Sequence, residues 1–266
     1  MKTKYITAAL AVATTLSGFS VKANDTAYMG VNGGDFGTID LGTGVFTILG
    51  NSGQTLAGMA VASATLYGAS YHTASGSLFT INPADGSLST VGTSTVNYDD
   101  FGSTTFGLFA VGIDASLYSV NSATGAATLL GPTGLAFGSW RSLSTNASAL
   151  YFANGANLYT LDTATGAPTL IGNMGGPQIG AMLMENGILY GGQETPGLRV
   201  DTLDPTTGLA TAGPGLIGST NPFYALAPNP LPTPEPTTAV LLLSGAVLCL
   251  RRCSLRTHER NARSQL

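Results

Sequence analysis

The chain has 266 residues, of which 9% are charged and 36 are glycine; that composition suits short strands and tight turns rather than long surface helices, which need Glu, Lys and Arg on their solvent faces. The formal charge of -4 hides a segregation: Lys2, Lys4 and Lys22 open the chain, arginines from Arg251 to Arg263 end it, and between 24 and 231 only Arg141 and Arg199 oppose twelve acidic residues, a formal charge of -10. Such a body repels phosphate backbones and excludes nucleic acid as a partner, and with both cysteines in the tail, Cys249 and Cys253, it has no disulfide framework and no thiolate chemistry.

Residues 1–23 begin with Lys2 and Lys4, continue with an apolar run from Tyr5 to Phe19 and end Val21, Lys22, Ala23. This is the pattern of a secretory signal, and cleavage by signal peptidase is expected after Ala23. The run is shorter than the roughly 20 residues that span a bilayer. No cysteine follows the cleavage point, so a lipoprotein is not expected.

From 24 to 228 the chain repeats itself. DFGTIDLGTGVFTILG (35–50), SLFTINPADGSLSTVG (77–92), SLYSVNSATGAATLLG (116–131), NLYTLDTATGAPTLIG (157–172) and LRVDTLDPTTGLATAG (198–213) are five copies of one hairpin. Their turn glycines, Gly44, Gly86, Gly125, Gly166 and Gly208, stand 39 to 42 residues apart, the period of one supersecondary unit per repeat. Asp40, Asn82, Asn121, Asp162 and Asp204 each precede the glycine by four residues, where an Asx side chain bonds the backbone of a tight turn. The glycine then supplies the left-handed conformation that ends the loop. One carboxylate per turn falls short of the roughly 6 to 8 oxygens calcium takes, so these Asx residues read as structural.

A further strand precedes each hairpin: AYMGVN (27–32), TLYGAS (65–70), TFGLFA (105–110), ALYFAN (149–154) and ILYGGQ (188–193). Before it lies an apolar segment, LAGMAVAS (56–63), SWRSLS (139–144) or IGAMLME (179–185). The first repeat lacks one, while an unmatched FYALAP (223–228) stands at the far end. The expected fold is therefore all-β: a five-bladed β-propeller of four-stranded blades, its ring closed by N- and C-terminal strands sharing one blade. Tyr67, Tyr118, Tyr151, Tyr159 and Tyr190 recur at fixed positions and are expected in the core. The pattern resembles bacterial propeller-like repeat proteins whose blades read LYxxDxxTGxxxxxG, a resemblance that implies the fold and leaves function open.

Two stretches break the pattern. TSTVNYDDFGSTT (93–105) occupies the place of the third blade's innermost strand yet is polar, and Asp99 and Asp100 are expected to face a central channel and bind hydroxyl groups or a cation. Trp140 and Arg141 stand at the corresponding point of the fourth blade, where they could stack on a sugar ring and hydrogen-bond its substituents. No cofactor is implied, and calcium is the one ion admitted at Asp99 and Asp100. His72 is the only histidine of the body, which has no lysine and no cysteine, so zinc-type sites are excluded.

The end of the chain reads as a linker and a tail. Residues 229–236 are proline-rich and extended. Residues 237–266 hold a short apolar segment, TTAVLLLSGAVLCL (237–250), expected to form a sorting helix, and then a basic run. This order closely resembles the PEP-CTERM sorting signal, with Pro234, Glu235 and Pro236 as its triplet and Arg251 and Arg252 as its basic cluster; the ten residues that follow RRCSLR, THERNARSQL, are longer than is usual in that family. The resemblance implies recognition by an exosortase, transient inner-membrane association through 237–250, release to the cell surface or extracellular matrix of a Gram-negative bacterium, and an association with exopolysaccharide, flocs or biofilm. A short apolar segment stopped by arginines supports a retention signal independently.

The function expected from these features is that of an exported, non-enzymatic matrix component that contacts exopolysaccharide. One alternative is a glycan-active hydrolase or lyase using Asp99, Asp100 or Glu185 as acid and base. Another is an outer-membrane barrel, disfavoured because strands of about 6 residues are shorter than the roughly 9–11 such a barrel needs.

Overall fold

The computed structural model describes residues 26–71, 76–104, 107–136, 140–146, 149–195 and 197–229. The expected signal at 1–23, His72, and the expected linker and sorting tail beyond 229 lie outside them. The first three strands are β1 (Thr26–Val31), β2 (Asp35–Asp40) and β3 (Phe46–Asn51). A second group follows as β4 (Leu56–Ala62), β5 (Thr65–Ser70), β6 (Ser77–Ile81) and β7 (Leu88–Thr93), and a third as β8 (Tyr98–Thr104), β9 (Gly107–Gly112), β10 (Ser116–Val120) and β11 (Ala127–Pro132). The fourth is β12 (Arg141–Thr145), β13 (Leu150–Asn154), β14 (Asn157–Leu161) and β15 (Pro168–Asn173). The fifth is β16 (Gln178–Glu185), β17 (Ile188–Thr195), β18 (Arg199–Leu203) and β19 (Ala210–Thr211), and β20 (Phe223–Pro228) ends the series.

These strands form five antiparallel four-stranded sheets, and β20 completes the first group in the order β20-β1-β2-β3. The innermost strands β4, β8, β12, β16 and β20 each contact the next around a closed ring. The chain is a five-bladed propeller closed by strands from both ends of its body, as the unmatched FYALAP segment implied, and not a barrel.

Turn chemistry fixes each outer hairpin. The five turn glycines have φ between 70° and 80°, and each donates its N–H to the carbonyl of the Asx four residues earlier at 2.8 Å. The Asx Oδ1 accepts the N–H groups of the turn, for example Ala164 to Asp162 at 2.9 Å. The last glycine of the repeat has a different role. A Cβ at Gly50, Gly92, Gly131 or Gly172 would lie 1.9 to 2.1 Å from the carbonyl oxygen of Asp85, Thr124, Thr165 or Thr207. Those carbonyls directly precede the turn glycine of the next blade, so each terminal glycine is the seat of its neighbour's turn.

Apolar side chains fill the five spaces between blades. Tyr28, Phe36 and Phe79 pack with Met59 between the first and second blades, and Phe109, Leu117, Leu143 and Phe152 pack between the third and fourth. Tyr151 is buried, but Tyr67, Tyr159 and Tyr190 are only partly buried against these clusters, and the Tyr118 hydroxyl donates to exposed Asp114 at 2.6 Å. The repeat tyrosines thus rim the core rather than fill it, because a phenol keeps its oxygen near water or a partner.

Candidate functional site

The axis of the ring is not an open channel. At mid-height Met59, Leu143, Met182 and Leu226 surround a void of only ≈ 30 Å³, room for about one water. Two separate cavities result, one at each end of the innermost strands. At the end where these strands finish, a basin of ≈ 940 Å³ is lined by neutral groups including Ser103, Thr104, Asn121, Thr145, Asn146 and Tyr151. At the end where they begin, a cavity of ≈ 120 Å³ is lined by Ala57, Asp99, Trp140, Arg141, Gly180 and Tyr224, with Tyr71 beside them.

The smaller cavity is built by backbone irregularity. Pairing skips one residue in β4 between Leu56 and Gly58, in β8 between Tyr98 and Asp100, in β16 between Ile179 and Ala181, and in β20 between Phe223 and Ala225. The skipped residues are Ala57, Asp99, Gly180 and Tyr224, all of which line the cavity. A β-bulge re-aims its extra residue, and here four bulges at one level of the ring aim four residues at the axis. β12 supplies Arg141 from regular pairing, opposite Asn154.

Asp99 and Arg141 lie on adjacent inner strands. Both carboxylate oxygens of Asp99 accept from the guanidinium, one from Nε and one from Nη2, the side-on geometry that suits a carboxylate best. Asp100 behaves differently. Its carboxylate accepts the Leu143 N–H from β12 and the N–H of Phe101 at 2.6 Å. Burial raises its pKa well above the usual carboxylate range, against the lowering effect of those two backbone donors. The expectation that both aspartates face the axis is therefore corrected: Asp99 does so, ion-paired, and Asp100 is sealed between blades. Neighbouring strand residues point to opposite faces, which separates the two. Among the described residues no three His, Cys, Asp or Glu side chains stand together as a metal site, and Asp99 and Asp100 form none. Glu185 is at the far end of β16, five residues from Gly180 or about 16 Å along the strand, and does not join Asp99.

Three aromatic rings complete the wall. Tyr224 lies 4.7 Å from Tyr71 and 6.2 Å from Trp140 between ring centroids, each pair tilted. Tyr71 is pushed up to about 12, first by burial and then by Tyr224 and Asp99, against the opposing effect of Arg141. Behind Gly180 stands Glu194, the extra residue of β17 where Gln178 pairs with Thr195 and Ile179 with Gln193. It is buried, its Oε1 has no hydrogen-bond partner among the described residues, and burial pushes its carboxyl up to about 8 despite the N–H of Phe223.

The structure brings Trp140 and Arg141, expected as one candidate, together with Asp99 from the other at a single cavity, whereas Tyr71, Tyr224, Gly180 and Glu194 were not foreseen. A signal for two of them exists: Tyr71 follows TLYGAS and Glu194 follows ILYGGQ, so they hold equivalent positions in two repeats.

Fold and site together define a five-bladed propeller with an aromatic cavity at one mouth. No family model and no curated protein matches the chain. It is similar to a structural genomics protein of unknown function from Bacteroides thetaiotaomicron, at 14% identity over 71% of this chain and 55% of that one, with a TM-score of 0.54. BamB from Moraxella catarrhalis matches at 14% identity over 71% of this chain and 63% of its own, with a TM-score of 0.39. The computationally designed Ika4 protein matches at 11% identity over 55% of this chain and 90% of its own, with a TM-score of 0.37. The chain spans about half the length of the first of these, and at such identities the likeness is one of fold alone.

Proposed function

We propose that this chain is an exported propeller that binds extracellular polysaccharide at its aromatic mouth and performs no catalysis itself. Residues 1–23 direct export, and the tail, with Pro234, Glu235 and Pro236 before a short apolar segment and Arg251 and Arg252 after it, is the substrate of an exosortase that sorts the protein to the surface. The observation that carries the binding role is the cavity wall, where Trp140, Tyr71 and Tyr224 surround the Asp99–Arg141 pair. Aromatic faces take the apolar face of a sugar ring, and the ion pair offers fixed donors and acceptors to its hydroxyls. A hydrolase or lyase is less well supported. Glycoside hydrolysis needs two carboxyl groups within roughly 5–10 Å across one bond, and here Asp99 is held by Arg141, Asp100 is sealed, and Glu185 is at the other end of β16.

The test is retention of the full chain on the producing organism's polysaccharide, with calcium and again with chelator. Retention is expected in both conditions and is expected to fall about tenfold for Trp140→Ala, the scale of one stacking contact. Equal retention of Trp140→Ala would remove the site, and loss in chelator would replace stacking with a cation bridge. Release of reducing ends during incubation would convert the protein into an enzyme.

A further inference from the structure

Sugar stacking at the aromatic mouth uses one end of the ring and leaves the larger basin at the other end unassigned. That basin measures ≈ 940 Å³, near the top of the roughly 300–1,000 Å³ range of ligand sites. It has room for a run of linked sugar rings, where the ≈ 120 Å³ mouth has room for one at most. All five blades build it. Ser63 follows β4, Thr104 ends β8, Thr145 ends β12, Met184 is next to last in β16 and Pro228 ends β20, all in its wall. Among the described residues that form this wall none is charged. Serine and threonine hydroxyls and asparagine amides stand among apolar side chains such as Val61 and Leu108, and the Tyr151 hydroxyl accepts from Asn146 Nδ2 at 3.3 Å. Hydroxyls and amides pair with the hydroxyl groups of a sugar chain, and the apolar patches take the C–H faces of its rings.

The charge around the basin decides which sugar chains reach it. Asn121 lines it from the turn after β10, so the matching turns of β2, β6, β14 and β18 stand at the same end of the ring. Those turns carry Asp40, Asp85, Asp162 and Asp204, and Glu185 ends β16 there as well. Both arginines of the body start strands, Arg141 in β12 and Arg199 in β18, at the opposite end. A rim of carboxylates with no arginine among them turns polyanions away. The wall inside that rim has no counter-charge to hold a cation, which leaves an uncharged chain as the fitting occupant.

We infer that the basin is a second polysaccharide site, for an uncharged segment of several sugar residues, and that together with the aromatic mouth it makes each propeller a cross-link between two strands. The inference rests on the polysaccharide proposal for its other arm. Met59, Leu143, Met182 and Leu226 close the axis between the two sites, so no strand threads the ring. Along β4 the sites are about 13 Å apart, from Ala57 in one to Val61 in the other, and they open at opposite ends. A strand seated in each is joined to the other by one molecule, which gives a protein without turnover a mechanical role in a matrix.

The probe is the neutral fraction of the producing organism's polysaccharide, the part an anion exchanger does not hold, coated on beads. The full chain in mild detergent, monomeric by sedimentation, is bound to the beads and offered a fluorescein-labelled sample of the same fraction. Native protein is expected to capture the labelled strand. Ser63→Leu with Ser122→Leu replaces two exposed hydroxyls of the basin and is expected to cut capture about tenfold, the scale of two lost hydrogen bonds. Trp140→Ala is expected to cut capture as much, and the retention it keeps is expected to vanish when the two serine changes are added. That residual retention is expected to be competed by the free neutral fraction and not by polygalacturonate. If Ser63→Leu with Ser122→Leu captures as the native chain does, the basin is no site and the aromatic mouth stands. If the native chain is retained but captures nothing, each molecule holds one strand and the cross-link is wrong. Competition by polygalacturonate equal to that by the neutral fraction would overturn the uncharged occupant. If the native chain is not retained at all, the basin and the aromatic mouth both fail.

Discussion

Replacing Glu194 by Gln keeps the side chain's shape and removes its titration, so the change in stability with pH reads out how strongly the fold suppresses that charge. The native carboxyl is raised from 4.5 to about 8, chiefly by burial. An acid raised in the folded state takes up a proton on folding between its unfolded and folded pKa values. Its stabilising contribution is therefore complete below about pH 4.5 and is lost as pH rises to about 8. At about 1.4 kcal/mol per unit, the loss by pH 7 is at most about 3 kcal/mol, or about 2 once solvent reaching through the mouth is allowed for. Gln retains an oxygen for the N–H of Phe223 and carries no charge to bury. Urea unfolding of both proteins between pH 5 and 9 is the assay. The native chain should lose stability up to about pH 8, and Glu194→Gln should lose about 2 kcal/mol less by pH 7 and be the more stable at pH 8. Asp100 is raised in both proteins and cancels from the comparison, and backbone and hydroxyl donors of their turns hold Asp162 and Asp204 below the usual range, Asp204 at about 2. Parallel pH profiles for the two proteins would refute the burial of an acid at this position.

Two further perturbations test the frame around the site. Arg141→Leu removes the guanidinium from which both Asp99 oxygens accept, at a position where the Asp99 side chain is 6% exposed, and about 3 kcal/mol of stability should be lost; Asp99→Asn with Arg141→Leu should recover most of it, since a buried carboxylate stripped of its counter-charge costs more than a neutral amide. A double-mutant cycle by urea unfolding measures both. Gly131→Ala places a methyl 2.1 Å from the Thr165 carbonyl oxygen of the next blade and should cost about 3 kcal/mol, whereas Gly33→Ala is crowded by nothing within 4 Å and strained only by its φ of 89°. Thermal unfolding should rank Gly131→Ala well below Gly33→Ala; the reverse order would mean that terminal repeat glycines are not seats for the neighbouring turn.

Much of the architecture was legible because it is local and repeated. A hairpin turn of the Asx-to-glycine kind is encoded within five residues, and five copies at near-constant spacing imply five equal units whatever surrounds them. Ring closure was legible for a related reason: one repeat lacked a strand and an unmatched FYALAP remained. Trp140, Arg141 and Asp99 were found because a polar stretch and a lone tryptophan interrupt an apolar pattern at matching points of two repeats.

The mouth itself was decided by the tertiary structure. Ala57, Asp99, Arg141, Gly180 and Tyr224 are about one repeat apart in sequence and meet only because the ring brings the starts of five strands to one axis. Four of them face that axis through a bulge, and a bulge is set by how two strands pair, which no single strand records. Asp99 and Asp100, adjacent and chemically identical, separate into an axis-facing partner of Arg141 and a sealed acceptor of the Leu143 N–H for the same reason. Glu194 follows a strand motif that says nothing of its burial; only the packing of β16 and β20 against β17 buried it, with its side chain against Gly180. Local turn chemistry and periodicity thus specified the blades, while curvature and strand pairing, which depend on contacts between distant segments, specified what the blades enclose.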